Sequence, residues 1–349
     1  MTAAEAVFFP LDEQLGLIER WSQGLVKEVV WLSGLVVFER AEEILGRVGQ
    51  IAISDSSIWR RAQEGGERFR EVLEAEQEKA NRVGKQSEGI PCKQRARERR
   101  MGSSMDGTMI HIREEGWKEL KVGCVFKVEA RPRRDQEVGK VEEQAHAVDN
   151  SYVAHLGGPE IFGQKMWAEA DRRHWEQARA TEVLGDGARW IWNLAEEHFY
   201  DSHQLVDWYH GTKHLAVAAG LIKGEETPAA TEWFEDQKET LFQGRALRVV
   251  RTLESQAQQC PAEAEHLQRE AGYFHKNWRR MNYRDMRGEG RVVGRGMVES
   301  GAKQFKARMA GPGMRWSRSG AENLIPVRKA ILSDRFDDLW RQAYRSPPN

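Results

Sequence analysis

The sequence lacks the features that mark several classes of protein. No stretch approaches the roughly 18 consecutive apolar residues of a membrane helix, and no charged-then-apolar signal segment opens the chain. The three cysteines, Cys92, Cys124 and Cys260, form no CxxC pair, which argues against structural zinc and for a reducing cytosol. There is no internal repeat and no low-complexity tract. The expectation is a cytoplasmic globular protein with no membrane partner.

The charge is balanced overall but unevenly distributed. The 349 residues are 40% hydrophobic and 31% charged, which suits a soluble chain of two or three domains, and the net charge is −1. Residues 273–318 nevertheless hold twelve Lys and Arg against three acids, and residues 93–100 hold five against one. Such clusters fit polyanion binding, although solvated helix faces are commoner. The thirteen tryptophans suit either nucleic-acid stacking or ordinary cores.

The first part of the chain, residues 1–84, has the pattern of helices. Apolar residues recur at helical spacing in 23–36 and 38–48, and a third helical segment follows after a short connection. The first turns of that segment present Arg60 and Arg61 outward in this interpretation. The arrangement predicts a helix-turn-helix that binds DNA, with a plain helical bundle as the alternative.

Beyond this region the pattern changes to alternating strands and helices, which is typical of an α/β sheet. A polar and basic stretch before it has the composition of a linker. Residues 228–282 show a continuous helical pattern without strands and therefore predict an insertion. The predicted division is a helical region at 1–84, a linker at 85–104, a first core part at 105–219, a helical insertion at 220–290 and closing helices at 291–345.

Three acids stand beside small residues in separate elements. Asp106 heads a predicted strand in MDGTMI, Asp186 ends one in LGDGAR after a short apolar run, and Glu299 lies early in a predicted helix in GMVESGAK. Gly185 and Gly187 leave room for a ligand next to Asp186. Three converging carboxylates can hold two divalent cations, and oxygen ligands favour Mg²⁺ or Mn²⁺. The alternative is that each acid is a turn, a cap or a solvated surface residue.

The segment DWYHGTKH contains a second cluster of chemically active side chains. Asp207, His210 and His214 fall on one face if the segment is helical. Two histidines at this spacing occur in zinc sites, but the glutamate of HExxH is absent. A hydrogen-bonded helix cap is the commoner origin of such a cluster.

Basic and aromatic residues follow Glu299 in the chain. Lys303 and Lys306 share its helix face and are candidates for binding phosphate, with a solvated basic face as the alternative. Arg315 and Trp316 in GMRWS are candidates for the same groove. Trp316 can stack on a base or belong to the core, and the sequence does not separate the two.

Several uncommon strings occur in a definite order along nearly the whole chain. They are FFPLDEQLGL, SDSSIWRRAQEGGE, DGTMIHIREEGWKELKVG, YVAHLGGPEIFGQKMWAEA, VLGDGARWIWNLAEEHF, VDWYHGTKHL, GMVESGAKQ and GMRWSRSGAEN. With these strings the chain resembles the insertion-sequence DDE transposases of the ISKra type, relatives of the Mutator-like group. Relatives usually have a small residue where this chain has Arg295.

The resemblance implies an RNase H-like catalytic domain with a helical insertion, preceded by an all-α region. It implies that Asp106, Asp186 and Glu299 form the DDE triad, with Asp186 following a strand that neighbours that of Asp106. The triad of such enzymes binds two Mg²⁺, or Mn²⁺ in their place, and carries out DNA strand cleavage and strand transfer. The resemblance gives Asp207 and His210 a supporting role. The implied partners are the transposon ends, target DNA and further copies of the chain, in a prokaryotic cytoplasm at the nucleoid.

Three other functions compete with this one. An RNase H-like nuclease would cut without joining, and a decayed transposase would only bind DNA. A hydrolase with a metal at His210 and His214 is the third.

Overall fold

A five-stranded mixed sheet lies at the centre of the fold. The computed structural model describes residues 17–18, 21–86, 96–134 and 141–344. Within these ranges the order of the five strands is β3-β2-β1-β4-β5. The strands are β1 (Ala96–Ile112), β2 (Gly116–Arg134), β3 (Val141–Leu156), β4 (Ala178–Gly185) and β5 (His203–Val206). The mixed α/β class expected from the sequence is therefore confirmed.

Helices surround the sheet. None of those in the described ranges combines the length and the hydropathy needed to cross a membrane. The helices are α1 (Gln23–Leu35), α2 (Phe38–Gly49), α3 (Asp55–Gln86), α4 (Pro159–Arg172), α5 (Arg189–His198), α6 (Trp208–Lys223), α7 (Pro228–Phe242), α8 (Ala246–Gln259), α9 (Ala264–Asn277), α10 (Tyr283–Gly288), α11 (Gly296–Met309), α12 (Arg318–Leu332) and α13 (Phe336–Ala343).

The sheet combines an antiparallel meander with two parallel strands. Strands β1, β2 and β3 pair antiparallel in sequence, whereas β4 pairs parallel to β1 and β5 parallel to β4. The tight connection from β1 to β2 ends at Gly116, whose φ of 74° favours glycine. Parallel neighbours need a crossover connection, and α4 and α5 lie in the connections that lead into β4 and β5.

The predicted linker at 85–104 is wrong in its second part. Strand β1 begins at Ala96, so Asp106 lies well inside the strand instead of at its start. The small residues of this part look like a turn in the sequence but are required by packing. Ser103 and Ser104 are fully buried, and a Cβ at Gly102 would lie 2.2 Å from the ring of Phe126.

The two faces of the sheet bury different residues because side chains alternate along a strand. On β2, Val122 and Cys124 pack in a core with Phe305 of α11 and Leu324 of α12. On the opposite face, Val125 joins the core that contains Phe162 and Met166 of α4 and Ile191 and Leu194 of α5. Ile110 and Ile112 of β1 and Leu184 of β4 belong to the same core as Phe305 of α11, whereas Met105 and Val183 belong to the opposite one.

The long segment between β5 and α11 is helical but not continuous. Turns near Gly224 and Gly244 and a 3₁₀ turn at Pro261–Glu263 separate α6, α7, α8 and α9. The side chain of Thr227 caps α7 by accepting the backbone N–H of Ala230 at 3.1 Å. These helices bury Leu241, Val249 and other apolar residues in the same core as α4 and α5.

The N-terminal helices pack on the C-terminal ones. Helices α1, α2 and the start of α3 share a small core that includes Val29 and Leu45. A second core joins Phe69 of α3 to Val327 of α12 and Trp340 of α13. Helix α3 has 32 residues, and its middle is buried against α12. If these helices form a helix-turn-helix, the part of α3 that could contact DNA is its exposed first turns. The helix-turn-helix stays a prediction.

A buried acid on β4 predicts a dependence of stability on pH. Burial of Glu182 raises the pKa of its carboxyl to about 7, against the partial compensation of the Val292 N–H and of Arg291. The folded chain binds the proton on Glu182 more tightly than the unfolded chain does. The contribution of this proton to the free energy of unfolding is therefore fully present below about pH 4.5 and is lost as the pH rises through 7. We expect Glu182→Gln to raise the free energy of unfolding by about 3 kcal/mol at pH 8 and to change little at pH 4.5.

Urea unfolding of both proteins at the two pH values measures this difference. Glutamine keeps an oxygen for the Val292 N–H, which Glu182 accepts at 3.0 Å. Glu289→Gln is the control, because Glu289 also contacts Arg291 but is exposed. An equal effect of Glu182→Gln at both pH values would contradict the prediction.

Candidate active site

Asp106 and Asp186 come together at one edge of the β1–β4 pair. Ser104 of β1 pairs with Leu184 of β4 in parallel register. The same register carried two residues further sets Asp106 beside Asp186, which directly follows β4. Paired residues of parallel strands point to the same face, and Leu184 packs in the core that contains Val298 of α11. The Asp106 carboxylate contacts Arg295, which directly precedes α11, and Asp186 acts electrostatically on the same arginine. The neighbouring strands that the resemblance implies are found.

Asp186 lies in a tight turn between β4 and α5. Its Oδ1 accepts the N–H of Ala188 at 2.8 Å, and its backbone oxygen accepts the hydroxyl of Tyr273 at 2.9 Å. Gly187 has a φ of 103°, and a Cβ there would lie 2.8 Å from the Tyr273 ring. A Cβ at Gly185 would lie 2.8 Å from Ile191. The prediction that these glycines leave space for metal or DNA is wrong, because the side chains of Ile191 and Tyr273 occupy that space. At Gly187 the positive φ also favours glycine.

Glu299 approaches Asp106 from helix α11, and both lie within 4 Å of Arg295. It lies in the first turn of α11, and its side chain is 40% exposed. Arg295, one turn earlier, is the residue that caps this helix. The three acids that the sequence singled out thus approach one another from β1, from the end of β4 and from the start of α11.

The guanidinium of Arg295 lies among these carboxylates. Its Nη1 is 3.0 Å from Oδ1 of Asp106, and its Nε is 3.7 Å from Oδ2 of Asp207 and 3.8 Å from Oε1 of Glu299. The residue is only 6% exposed. Burial by itself would lower the pKa of Arg295, but Asp106 first and then Asp186 and Asp207 outweigh burial and raise it. Arg295 is therefore a permanent positive charge within the site.

Asp207 is a fourth acid in this group, with a structural role. It is fully buried, and its Oδ2 caps α6 by accepting the N–H of His210 at 2.9 Å. Its Oδ1 accepts the backbone N–H of Arg295, also at 2.9 Å. Burial raises the pKa of Asp207. The cap that the sequence offered as the commoner origin of this motif is present, and it also holds the segment that carries Arg295.

His210 and His214 lie on one face of α6, as their spacing predicts. Their ring centres are 5.1 Å apart. His214 stacks on Tyr273 of α9 at 3.7 Å, and its Nδ1 lies 2.5 Å from Glu270 Oε2. Burial lowers the pKa of His210. These contacts join α6 and α9 to the turn at Asp186, and the histidines serve that packing.

The predicted DNA-contacting residues divide into exposed and buried ones. Arg60, Lys303, Lys306 and Arg315 are exposed. The prediction that Arg61 faces outward is wrong, because the residue is only 8% exposed and its Nη1 lies 2.7 Å from Oε2 of Glu64.

Trp316 belongs to the core, so the structure decides between the two alternatives. The residue is 8% exposed, and its Nε1 donates to the carbonyl oxygen of Met309 at 2.7 Å. A ring held in this way is not free to stack on a base.

The donor atoms at this site suit a hard divalent cation, and the site already holds a positive charge. Carboxylate oxygens are the ligands that Mg²⁺ and Mn²⁺ prefer. In the present arrangement no three Asp, Glu, His or Cys side chains of the described residues converge closely enough to hold a metal ion. The reason is visible at Asp106 and Glu299, because the guanidinium of Arg295 lies between them. Arg295 supplies these carboxylates with the positive charge that a metal ion would otherwise supply.

Two members of the site were missed in the sequence. Arg295 was visible only as a bulky residue in the GRG string, where the transposases that the chain resembles have a small one. Tyr273 had no local signal, because it lies in an ordinary amphipathic helix, and only the docking of α9 brings it to Asp186.

Comparison of the sequence with models of protein families finds no match. Comparison with curated proteins finds none either. The resemblance to DDE transposases therefore depends on the quoted strings and their order.

Proposed function

We propose that this chain is a DDE transposase, which cuts DNA at the ends of a mobile element and joins the freed ends to target DNA. The observation that carries the proposal is that the β1–β4 register sets Asp106 beside Asp186, while Arg295 lies within 4 Å of both Asp106 and Glu299. The resemblance implies these three acids, which are 80 and 113 residues apart in the chain, as the triad. The contacts of Arg295 with the first and the third support that role.

The sheet supports an RNase H-like interpretation of the catalytic part. Three antiparallel strands are followed by two strands parallel to the first, in the order β3-β2-β1-β4-β5. The first and second acids lie on or directly after the two central parallel strands. The helices from α6 to α10 occupy the place of the insertion between the second and third acids.

The reaction is the breaking and making of phosphodiester bonds. In cleavage, a water oxygen bonds to phosphorus while the bond to the 3′ oxygen breaks; the water loses a proton and the 3′ oxygen gains one. In joining, the freed 3′ hydroxyl bonds to a target phosphorus, and the displaced target 3′ oxygen takes up a proton. A divalent ion bound by the carboxylates would activate the attacking oxygen and stabilise the leaving one.

Acidic and basic side chains of this chain would position the DNA in the site. Asp106 and Asp186 are held on adjacent strands, so the distance between them is set by the sheet. Lys303 follows Glu299 by one turn and is exposed, so it can bind the phosphate that neighbours the scissile one. Exposed Arg315 extends this basic surface towards the loop before α12.

The test is a cleavage and joining assay on a supercoiled plasmid that carries the two DNA segments flanking the gene. With Mg²⁺ or Mn²⁺ we expect nicks at the segment ends and joined products, and we expect neither with EDTA. Asp186→Asn should reduce both by on the order of 10²–10³-fold, because it removes a charge that acts at the reacting atoms. Glu232→Gln, an exposed acid on α7, should leave both unchanged.

Three outcomes separate the alternatives. Cleavage without joining in every condition would make the protein a nuclease. Binding of the plasmid without cleavage would make it a DNA-binding remnant. Full activity of Asp186→Asn would show that the Asp186 carboxylate takes no part in the reaction, and it would overturn the proposal.

A further inference from the structure

Arg295 is held in the site by its backbone as well as by its charge. Its N–H donates to Asp207 at 2.9 Å, and the residue forms the cap of α11. The buried Asp207 carboxylate would lose its nearest positive charge if the guanidinium moved away. With 6% of its surface exposed, Arg295 has little room to change rotamer. The guanidinium is therefore a fixed part of the site.

The contacts of the guanidinium are distributed unequally over the acids. It lies within ion-pair distance of Asp106 and Glu299, and its Nε and Nη1 are buried without an aligned hydrogen bond. Among the described side chains, no ion pair of 4 Å or less joins it to Asp186, which acts on it only from further away. The guanidinium thus lies between Asp106 and Glu299, and no contact of 4 Å or less between described side chains places it on Asp186.

Two positive groups cannot occupy one space between the same carboxylates. A divalent ion between Asp106 and Glu299 would have to take the position of the guanidinium, and its charge would repel the guanidinium strongly in a buried site. A divalent ion between Asp106 and Asp186 would share only the Asp106 carboxylate with it. The geometry therefore allows one divalent ion together with Arg295.

We propose that Arg295 is a built-in cation of this site, and that the chain binds one divalent ion between Asp106 and Asp186 instead of two. This proposal rests on the proposed function, because it assumes that the carboxylates bind a catalytic metal. It makes Arg295 a positioning residue, which sets the number of ions and holds Glu299. In this arrangement Glu299 is bound to Arg295 and is not a ligand of the ion.

Binding of Mn²⁺ to the full chain without DNA tests the proposal directly. Calorimetry and the loss of the free Mn²⁺ signal in electron paramagnetic resonance give the number of bound ions. We expect one ion per chain in the wild type, one in Arg295→Lys and two in Arg295→Ala. Arg251→Ala, which removes an exposed arginine on α8, should keep one ion.

A second pair of variants keeps the test valid if Arg295→Ala does not fold. Glu299→Gln should change the affinity for Mn²⁺ by less than twofold, whereas Asp186→Asn should weaken it at least tenfold. Two ions in the wild type, one ion in a folded Arg295→Ala, or equal loss of affinity in Glu299→Gln and Asp186→Asn would each overturn the proposal. No bound Mn²⁺ in any of these proteins would instead refute the metal site of the proposed function.

Discussion

Replacement of Gly66 by alanine is expected to lower the free energy of unfolding by about 3 kcal/mol. Gly66 lies in α3, and its backbone faces Asn323 of α12 at close range. A Cβ at this position would lie 1.8 Å from the backbone oxygen of Asn323, which cannot turn away as a side chain can. The two helices would have to separate, and the shared core around Phe69 and Val327 would open.

Gly46→Ala is the matched control for this experiment. Gly46 is an exposed glycine in α2, and a Cβ there would meet no atom within 4 Å. Alanine should stabilise this helix by about 0.5–1 kcal/mol, because glycine loses more backbone entropy on folding. The midpoints of urea unfolding should therefore move in opposite directions. A Gly66→Ala midpoint equal to that of the wild type would show that α3 and α12 do not approach as described.

Asp207→Ala is expected to have an effect of similar size, about 3–4 kcal/mol, for a different reason. The Asp207 carboxylate accepts two backbone N–H groups, those of His210 and Arg295, and it is fully buried. Alanine would leave both donors without a partner, and each such buried donor costs about 1–3 kcal/mol. It would also remove a negative charge beside the Arg295 guanidinium.

Asp207→Asn separates the hydrogen bonds from the charge. Asparagine keeps one oxygen of the same shape, so it can accept one of the two N–H groups, and we expect a loss of only about 1–2 kcal/mol. Thermal and urea unfolding of both variants measure the difference. If Asp207→Ala and Asp207→Asn were equally destabilised, the charge and not the two hydrogen bonds would be the source of the stabilisation.

The pattern of the sequence predicted the helices better than the extent of the strands. The alternation of apolar residues located α1, α2, and the strand–turn–helix unit around Asp186. It missed the first half of β1, because arginines, a glycine and two serines precede Met105 there. Ser103 and Ser104 are buried between β2 and β4, where small side chains fit, and a sequence gives no sign of how near the neighbouring strands will be.

The candidate site was predictable only in part. Asp106, Asp186 and Glu299 were selected from their local setting and from a resemblance, and the fold brings all three towards one place. The prediction that Arg61 faces outward is wrong, and of the two alternatives for Trp316 the core is correct, because both side chains are buried.

The sequence by itself determined local features of this protein: the helical segments α1 and α2, and the strand, turn and helix around Asp186. These depend on residue periodicity and on turn chemistry within a few positions. The tertiary structure alone decided that Arg295 lies among the carboxylates, that Gly187 packs against Tyr273, and that α3 rests on α12. Each of these is a contact between segments far apart in the chain, and local periodicity holds no information about which distant surfaces will meet.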